Sequence, residues 1–253
     1  VGKTIVMFVG PAGSGKSSLV HAYSKWLSEE FGLRVYKINL DTAAEYIPYQ
    51  PDFDIRVYID AHRIAKELRL GPNGALVKSM EMLSENIELV TKAVDNADTD
   101  FILIDTPGQM EVFIFRDVAY KLGQSLGKYG REVVAIFVID GEVVKRYEDY
   151  AFIAVMSVAL QARLGIDVVP VINKIDLVRD LSIVGDVISD VEEIVKRLST
   201  SGTYGEMLAK IVNMIWLYAK ATRVPRVSAR SMQGLEELHR IVHELTCSCG
   251  DLT

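Results

Sequence analysis

The chain has 253 residues, with 28 Lys and Arg against 34 Asp and Glu, a net charge of −6 and 49% hydrophobic residues. That hydrophobic share excludes general disorder, and the isoelectric point near 5.3 excludes a protein that coats nucleic acid through a broad basic surface. A chain of this length buries a sizeable core without disulfide staples, and the only cysteines, Cys247 and Cys249, stand two apart in the tail, which fits a reducing compartment.

In chain order, Thr4–Val9 is a short apolar run bounded by glycines, the signature of a strand buried on both faces. Similar runs at Val35–Ile38, Phe101–Ile104, Val133–Ile139 and Val168–Ile172, with a weaker one at Arg226–Ser228, predict further strands. Between them the patterning predicts helices at Lys16–Phe31, Ala61–Leu70, Ala75–Ala97, Val112–Leu126, Tyr147–Leu164, Val187–Leu198, Glu206–Ala221 and Leu235–Leu245. The alternation predicts an α/β fold of three layers, a mainly parallel sheet flanked by helices, with helical insertions. No repeat or Pro/Ser-rich linker divides the chain, so residues 1–253 read as one domain. The longest apolar stretch, Ala151 to Leu160, is half the ~20 residues needed to cross a bilayer, and the first residues are not a basic leader followed by a cleavage site. A cytoplasmic protein without membrane contact is expected.

Ligands of such sheets bind beyond the carboxyl ends of the strands, so the residues after each apolar run carry the chemistry. After the first comes Gly10-Pro11-Ala12-Gly13-Ser14-Gly15-Lys16-Ser17, which fits G-x-x-x-x-G-K-[ST] between a strand and a helix. In that context backbone N–H groups through Ser18 cradle phosphates, Lys16 reaches the β- and γ-phosphates and Ser17 binds Mg²⁺. The run Phe101–Ile104 ends in Asp105-Thr106-Pro107-Gly108-Gln109. An acid at the tip of a buried strand needs a partner, and Mg²⁺ suits Asp105, while the Gly108 N–H is placed to sense a γ-phosphate. The run Val168–Ile172 leads into Asn173-Lys174-Ile175-Asp176. One carboxylate, Asp176, accepts both the N1–H and the 2-amino group of guanine, a pair adenine lacks. The stem of Lys174 lies along the base and Asn173 bridges to the phosphate loop. Ser228-Ala229-Arg230 is a weaker element that offers backbone N–H groups to the guanine O6. GTP and GDP with Mg²⁺ are therefore the expected ligands.

The ordered set Asn39-Leu40-Asp41-Thr42-Ala43-Ala44-Glu45, Asp54-Ile55-Arg56 and Leu70-Gly71-Pro72-Asn73-Gly74 resembles the GPN-loop GTPases of archaea and eukaryotes, and the likeness runs from Gly10 through Ser228. It departs at Thr42, where the family pattern carries proline, which leaves the backbone after Asp41 less rigid. The resemblance implies a homodimeric GTPase in which the Gly71-Pro72-Asn73 loop of each subunit reaches toward its partner's nucleotide, with Asn73 near the γ-phosphate or product phosphate. Read without it, G-P-N-G is a turn between two helices.

To orient the attacking water the candidates are Asp41, Gln109 and Glu111, with Asp41 first because the resemblance extends to dimeric P-loop GTPases that place an acid there. Each of the three also suits a helix or turn cap. The helices Val112–Leu126 and Tyr147–Leu164 carry more apolar side chains than one stripe needs, among them Phe113, Phe115, Phe152, Ile153, Val155 and Met156. These read as core, with part available for a dimer interface or a partner's groove. His239 and His243, at i, i+4, read as a solvated helix face; with Cys247 and Cys249 they form a weak metal-binding cluster.

The leading expectation is a nucleotide-operated homodimer that assembles a protein complex with an unidentified client. In eukaryotic members the resemblance links such roles to RNA polymerase assembly or transport. The alternative is a metallochaperone GTPase that delivers a metal ion. A small-molecule kinase ranks last, since no acceptor pocket is evident.

Overall fold

The computed structural model describes residues 3–179, 191–218 and 224–246. Six strands, β1 (Thr4–Val9), β2 (Val35–Asn39), β3 (Phe53–Asp54), β4 (Phe101–Asp105), β5 (Val133–Asp140) and β6 (Asp167–Asn173), form one sheet among these residues. Their order is β3-β2-β4-β1-β5-β6, and every neighbouring pair is parallel. Strand side chains alternate between faces, so both sides of each apolar run are buried. Ile5, Met7, Ile104 and Phe137 point to one face, and Val6, Phe8, Leu103 and Ile136 to the other.

The second face is covered by α1 (Lys16–Phe31) and by the last helix, which is α10 (Leu235–Thr246) in the numbering used here. The first is covered by α2 (Ala61–Leu68), α3 (Pro72–Glu85), α4 (Ile87–Asn96), α5 (Met110–Phe115), α6 (Asp117–Gly127), α7 (Tyr147–Leu164), α8 (Val191–Ser199) and α9 (Gly202–Tyr218). This is the expected three-layer arrangement. Parallel register brings the polar ends of the strands to one edge: Phe8 and Asn39 both pair with Asp105, and Asp140 pairs with Asn173.

Several elements differ from the sequence expectation. The helix expected over Ala75–Ala97 starts earlier and is two helices. Asn86, at φ −118° and ψ 31°, interrupts it, and its Nδ2 donates to the Met82 carbonyl at 2.8 Å, the local competition by which Asn ends helices. The helix expected over Val112–Leu126 also breaks, at Arg116, whose extended backbone separates α5 from α6. Arg163 of α7 stabilises that break by donating from Nε to the Ile114 carbonyl at 2.9 Å and from Nη2 to the Arg116 carbonyl at 3.1 Å. Arg226–Ser228 is no strand but a single parallel bridge from Arg226 to Ile172. Residues 187–190 and 219–221 of the expected helices lie outside the described residues.

The apolar helices are not wholly core. Phe113 and Ile153 are buried, but Phe115 is 77% and Phe152 60% exposed, and Val155 is exposed as well. Helix α5 has under two turns and one inward face, and α7 already fills its inward face with Ala151, Ile153, Leu160 and Leu164.

Candidate nucleotide-binding site

The loop from Gly10 to Gly15 joins β1 to α1, which opens with Lys16 and Ser17, at the centre of the sheet edge. Gly10 at φ +154° lies so near β5 that a Cβ there would sit 2.3 Å from the Val138 carbonyl oxygen. Gly15 at φ +89° is the residue before α1, and a Cβ on it would meet Asn173 Nδ2 at 2.4 Å. No side chain caps the amino end of α1, so its first N–H groups remain free for an anion. Lys16 is buried and folds back over the loop, donating from Nζ to the carbonyls of Gly10 at 2.8 Å and Pro11 at 3.0 Å. Burial lowers its pKa, while Asp105 and Asp41 act in the opposite sense.

Asp105 ends β4 fully buried. Its Oδ2 accepts the Tyr49 hydroxyl at 2.9 Å, and its Oδ1 has no hydrogen-bond partner. Burial pushes its carboxyl up to about 6, opposed by the nearby Ser17 and Tyr49 hydroxyls and the Lys16 ammonium. A buried carboxylate oxygen without a partner, beside a hydroxyl and the phosphate loop, fits a divalent cation held by oxygen ligands. The buried Ser14 hydroxyl is also without a partner. Thr106 anchors the following turn by donating to the Phe8 carbonyl at 2.7 Å. In that turn the Gly108 N–H donates to Asp41 Oδ2 at 3.2 Å, while Asp41 Oδ1 accepts the Ala43 N–H at 3.0 Å.

At the other end, Asn173 is buried between two loops: its Nδ2 donates to the Ser14 carbonyl at 3.0 Å and its Oδ1 accepts the Ala229 N–H at 3.1 Å. Lys174, in the left-handed region at φ 63°, pairs with Asp140 Oδ2 at 2.6 Å. Asp176 is exposed, and its Oδ1 accepts the Ser228 hydroxyl at 2.6 Å. Ser228 Oγ in turn accepts the Ser231 N–H at 3.1 Å.

The structure thus gathers Gly10 to Ser17, Asp41, Asp105, Gly108, Asn173, Lys174, Asp176, Ser228 and Ala229 along one sheet edge. Gln109 stands before α5 without a side-chain capping bond, Glu111 is exposed in its first turn, and Asn73 is exposed in the first turn of α3, two residues after its N-cap Gly71. Sequence reasoning missed three partners. Asp140 had a visible signal, an acid ending the apolar run of β5, as Asp105 ends β4. Tyr49 lies in an irregular segment without periodicity, and the Ser228 side chain was read only for its backbone.

His239 corrects the solvated-face reading. Its ring packs against Tyr23, Trp26, Phe31 and Phe101, its Nδ1 is 2.9 Å from the Tyr23 hydroxyl, and burial lowers its pKa. Among the described residues no group of three or more His, Cys, Asp or Glu is arranged to hold a metal ion; Cys247 and Cys249 lie outside them. No helix of the described residues is long and apolar enough to cross a membrane.

Comparison with known proteins gives the family. Residues 8–248 match a family model described as a conserved hypothetical ATP binding protein. A GPN-loop GTPase of Pyrococcus abyssi is 33% identical over 98% of this chain and 100% of its own length. The chain belongs to the GPN-loop GTPase family. GPN-loop GTPase 3 of Dictyostelium discoideum is 33% identical over 71% of this chain, which spans 62% of that longer protein. The crystal structure of the Pyrococcus abyssi GTPase in its apo form superposes with a TM-score of 0.88 at 31% identity, covering 97% of this chain and 98% of that one.

Proposed function

We propose that this GPN-loop GTPase is a Mg²⁺-dependent homodimeric switch whose GTP and GDP states hold and release a client protein during assembly of a complex. The observation that carries the reading is the bond from the Gly108 N–H to Asp41 Oδ2. It joins an acid at the end of β2 to the N–H that a γ-phosphate would claim, so nucleotide state and the position of the acid are linked.

Loop N–H groups and Lys16 bind the phosphates, the ammonium exchanging two backbone carbonyls for phosphate oxygens. Ser17 and Asp105 would hold Mg²⁺, and the unpartnered Oδ1 of Asp105 supports that fit. The ion, when bound, neutralises charge on the β- and γ-phosphates. Asp176, aimed by Ser228, accepts the two donors of guanine, which favours GTP over the adenine nucleotide in the family model's description. A γ-phosphate that takes the Gly108 N–H frees Asp41 Oδ2 to accept a proton of the attacking water; water adds to the γ-phosphorus as the bond to the β-phosphate oxygen breaks, giving GDP and phosphate. Asn73 acts across the dimer through its amide donors. Phe115 and Phe152 supply exposed apolar surface for a second copy.

The test is phosphate release from GTP and from ATP by the wild-type chain, Asp41→Ala and Asn73→Ala, with mass from light scattering in the same samples. The reading expects GTP-selective release from a dimer, lost in Asp41→Ala and reduced in Asn73→Ala. Equal use of ATP, or a strict monomer with and without nucleotide, overturns it. Retention of nickel or zinc by the untagged chain would favour the metallochaperone instead, although no observation on the described residues does so.

A further inference from the structure

Thr42 and Ser79 are both fully buried polar residues, from segments 37 positions apart, and their hydroxyl oxygens lie 2.7 Å apart. Ser79 Oγ also lies 2.8 Å from the Leu76 carbonyl, to which it donates. A serine hydroxyl carries one proton, so with that proton on Leu76 the Thr42 hydroxyl is the donor between the two. The Thr42 carbonyl accepts the N–H of Ala61, the first residue of α2, at 2.9 Å. Thr42 is therefore bonded to two helices at once, immediately after Asp41.

Both sides of this bond lead to the proposed chemistry. Asp41 receives its position from Asn39, whose Oδ1 accepts the Asp41 N–H at 3.1 Å, and from the turn in which Asp41 Oδ1 accepts the Ala43 N–H across Thr42. Ser79 lies six residues after Asn73 on the same helix, about 9 Å along a rigid axis. A shift or rotation of α3 that moves Asn73 must carry Ser79 with it, and either drags the Thr42 turn or breaks a hydrogen bond where no water can replace it.

We propose that the Thr42–Ser79 bond is a positioning contact that couples the placement of the helix bearing Asn73 to the placement of Asp41. The inference rests on the reading of Asp41 and Asn73 given above. A side chain without a hydroxyl at position 42 could not make the bond, so the coupling depends on the threonine of this chain. Neither hydroxyl touches nucleotide; each acts through a neighbour.

Single-turnover GTP hydrolysis, GDP affinity and thermal midpoint, measured on the full chain, test it. Thr42→Val keeps the shape and removes the donor, and leaves Ser79 bonded to Leu76. It should slow hydrolysis about five- to tenfold, with GDP affinity within about twofold of wild type. Ser79→Ala should reproduce that loss from the helix side, and Thr42→Ser should restore the rate. The deciding readout is non-additivity: Asn73→Ala should slow the wild type by a larger factor than it slows Thr42→Val. Equal factors in both backgrounds, or wild-type hydrolysis in Thr42→Val, overturn the coupling. So does a loss of GDP affinity as large as the loss of rate. Asp41→Asn separates the two levels: wild-type hydrolysis in that variant overturns the parent reading together with this one, whereas an inactive Asp41→Asn with additive Thr42→Val and Asn73→Ala overturns the coupling alone.

Discussion

Asp41 Oδ2 and the Gly108 N–H are 3.2 Å apart, and this bond joins the end of the second strand to the turn that follows the fourth. A carboxylate therefore occupies a donor that suits a phosphate oxygen, and under the proposed function the two anions would compete for it. Asp41→Asn keeps the shape and removes the competing charge. Hydrolysis should fall by about two orders of magnitude, the range expected for a positioned base, while GTP binds at least as tightly as in the wild type. Single-turnover phosphate release beside equilibrium titration with a fluorescent GTP analogue checks both; a variant that binds GTP more weakly and hydrolyses it normally contradicts the assignment.

In the proposed site, recognition of the base would rest on one exposed carboxylate, Asp176, aimed by one buried hydroxyl, Ser228. Asp176→Asn replaces an acceptor with an amide that meets one guanine donor with a donor of its own, so GTP affinity should fall by about 2 kcal/mol, roughly thirtyfold. Xanthine keeps N1–H and carries a carbonyl in place of the 2-amino group, so the same variant should prefer XTP. Ser228→Ala leaves Asp176 charged but unheld, and should weaken GTP by a smaller factor. Competition titrations with GTP, XTP and ATP distinguish these outcomes.

Gly15 has two reasons to lack a side chain: its φ of +89° and the Asn173 amide 2.4 Å from where a Cβ would stand. Gly15→Ala should displace Asn173 from Ser14 and weaken GTP and GDP together by more than tenfold, an effect on the order of the 1–3 kcal/mol backbone strain with the lost hydrogen bond added. Calorimetric titration with each nucleotide is the measurement. Selective loss of one nucleotide would contradict a shared cause.

His239 gives the folded protein a pH response. Burial among aromatic rings, and then His243, hold its pKa below the ordinary value of about 6.5. The unfolded chain therefore binds a proton that the folded chain resists, so this contribution is present above about pH 6.5 and is lost as the pH falls through 6.5 toward the lowered folded value. His239→Phe keeps a ring in the cluster and removes the titration. It leaves the Tyr23 hydroxyl without its partner and is less stable at pH 7.5, but its urea midpoint should decline less between pH 7.5 and 5.5 than that of the wild type. Parallel declines would contradict the assignment.

The strands that build the site were legible because each is an apolar run that ends in, or leads directly into, a polar or glycine-rich segment. Val9, Asp105 and Asn173 fall at one edge on sequence grounds alone, since parallel strands align their ends. The helix breaks at Asn86 and Arg116 were not legible: a hydrophobic period continues across both, and what ends the helices is an amide folding back onto Met82 and a distant arginine, Arg163, reaching across from α7. The same holds for the site. Asp176 and Asn173 announced themselves by spacing, but Tyr49 meets Asp105 only because an irregular segment without periodicity folds beneath the sheet edge. Thr42 read as a departure from a pattern, and its partner Ser79 lies on another element, beyond the reach of local spacing.

Asn173 spans from Ser14 to Ala229 with a single amide. In the proposed site, grip on the phosphates and grip on the base would thus be two ends of one lever rather than two separate clasps. A displacement of the 228–230 turn would reach the phosphate loop through that amide, so loosening at the base and loosening at the phosphates would go together.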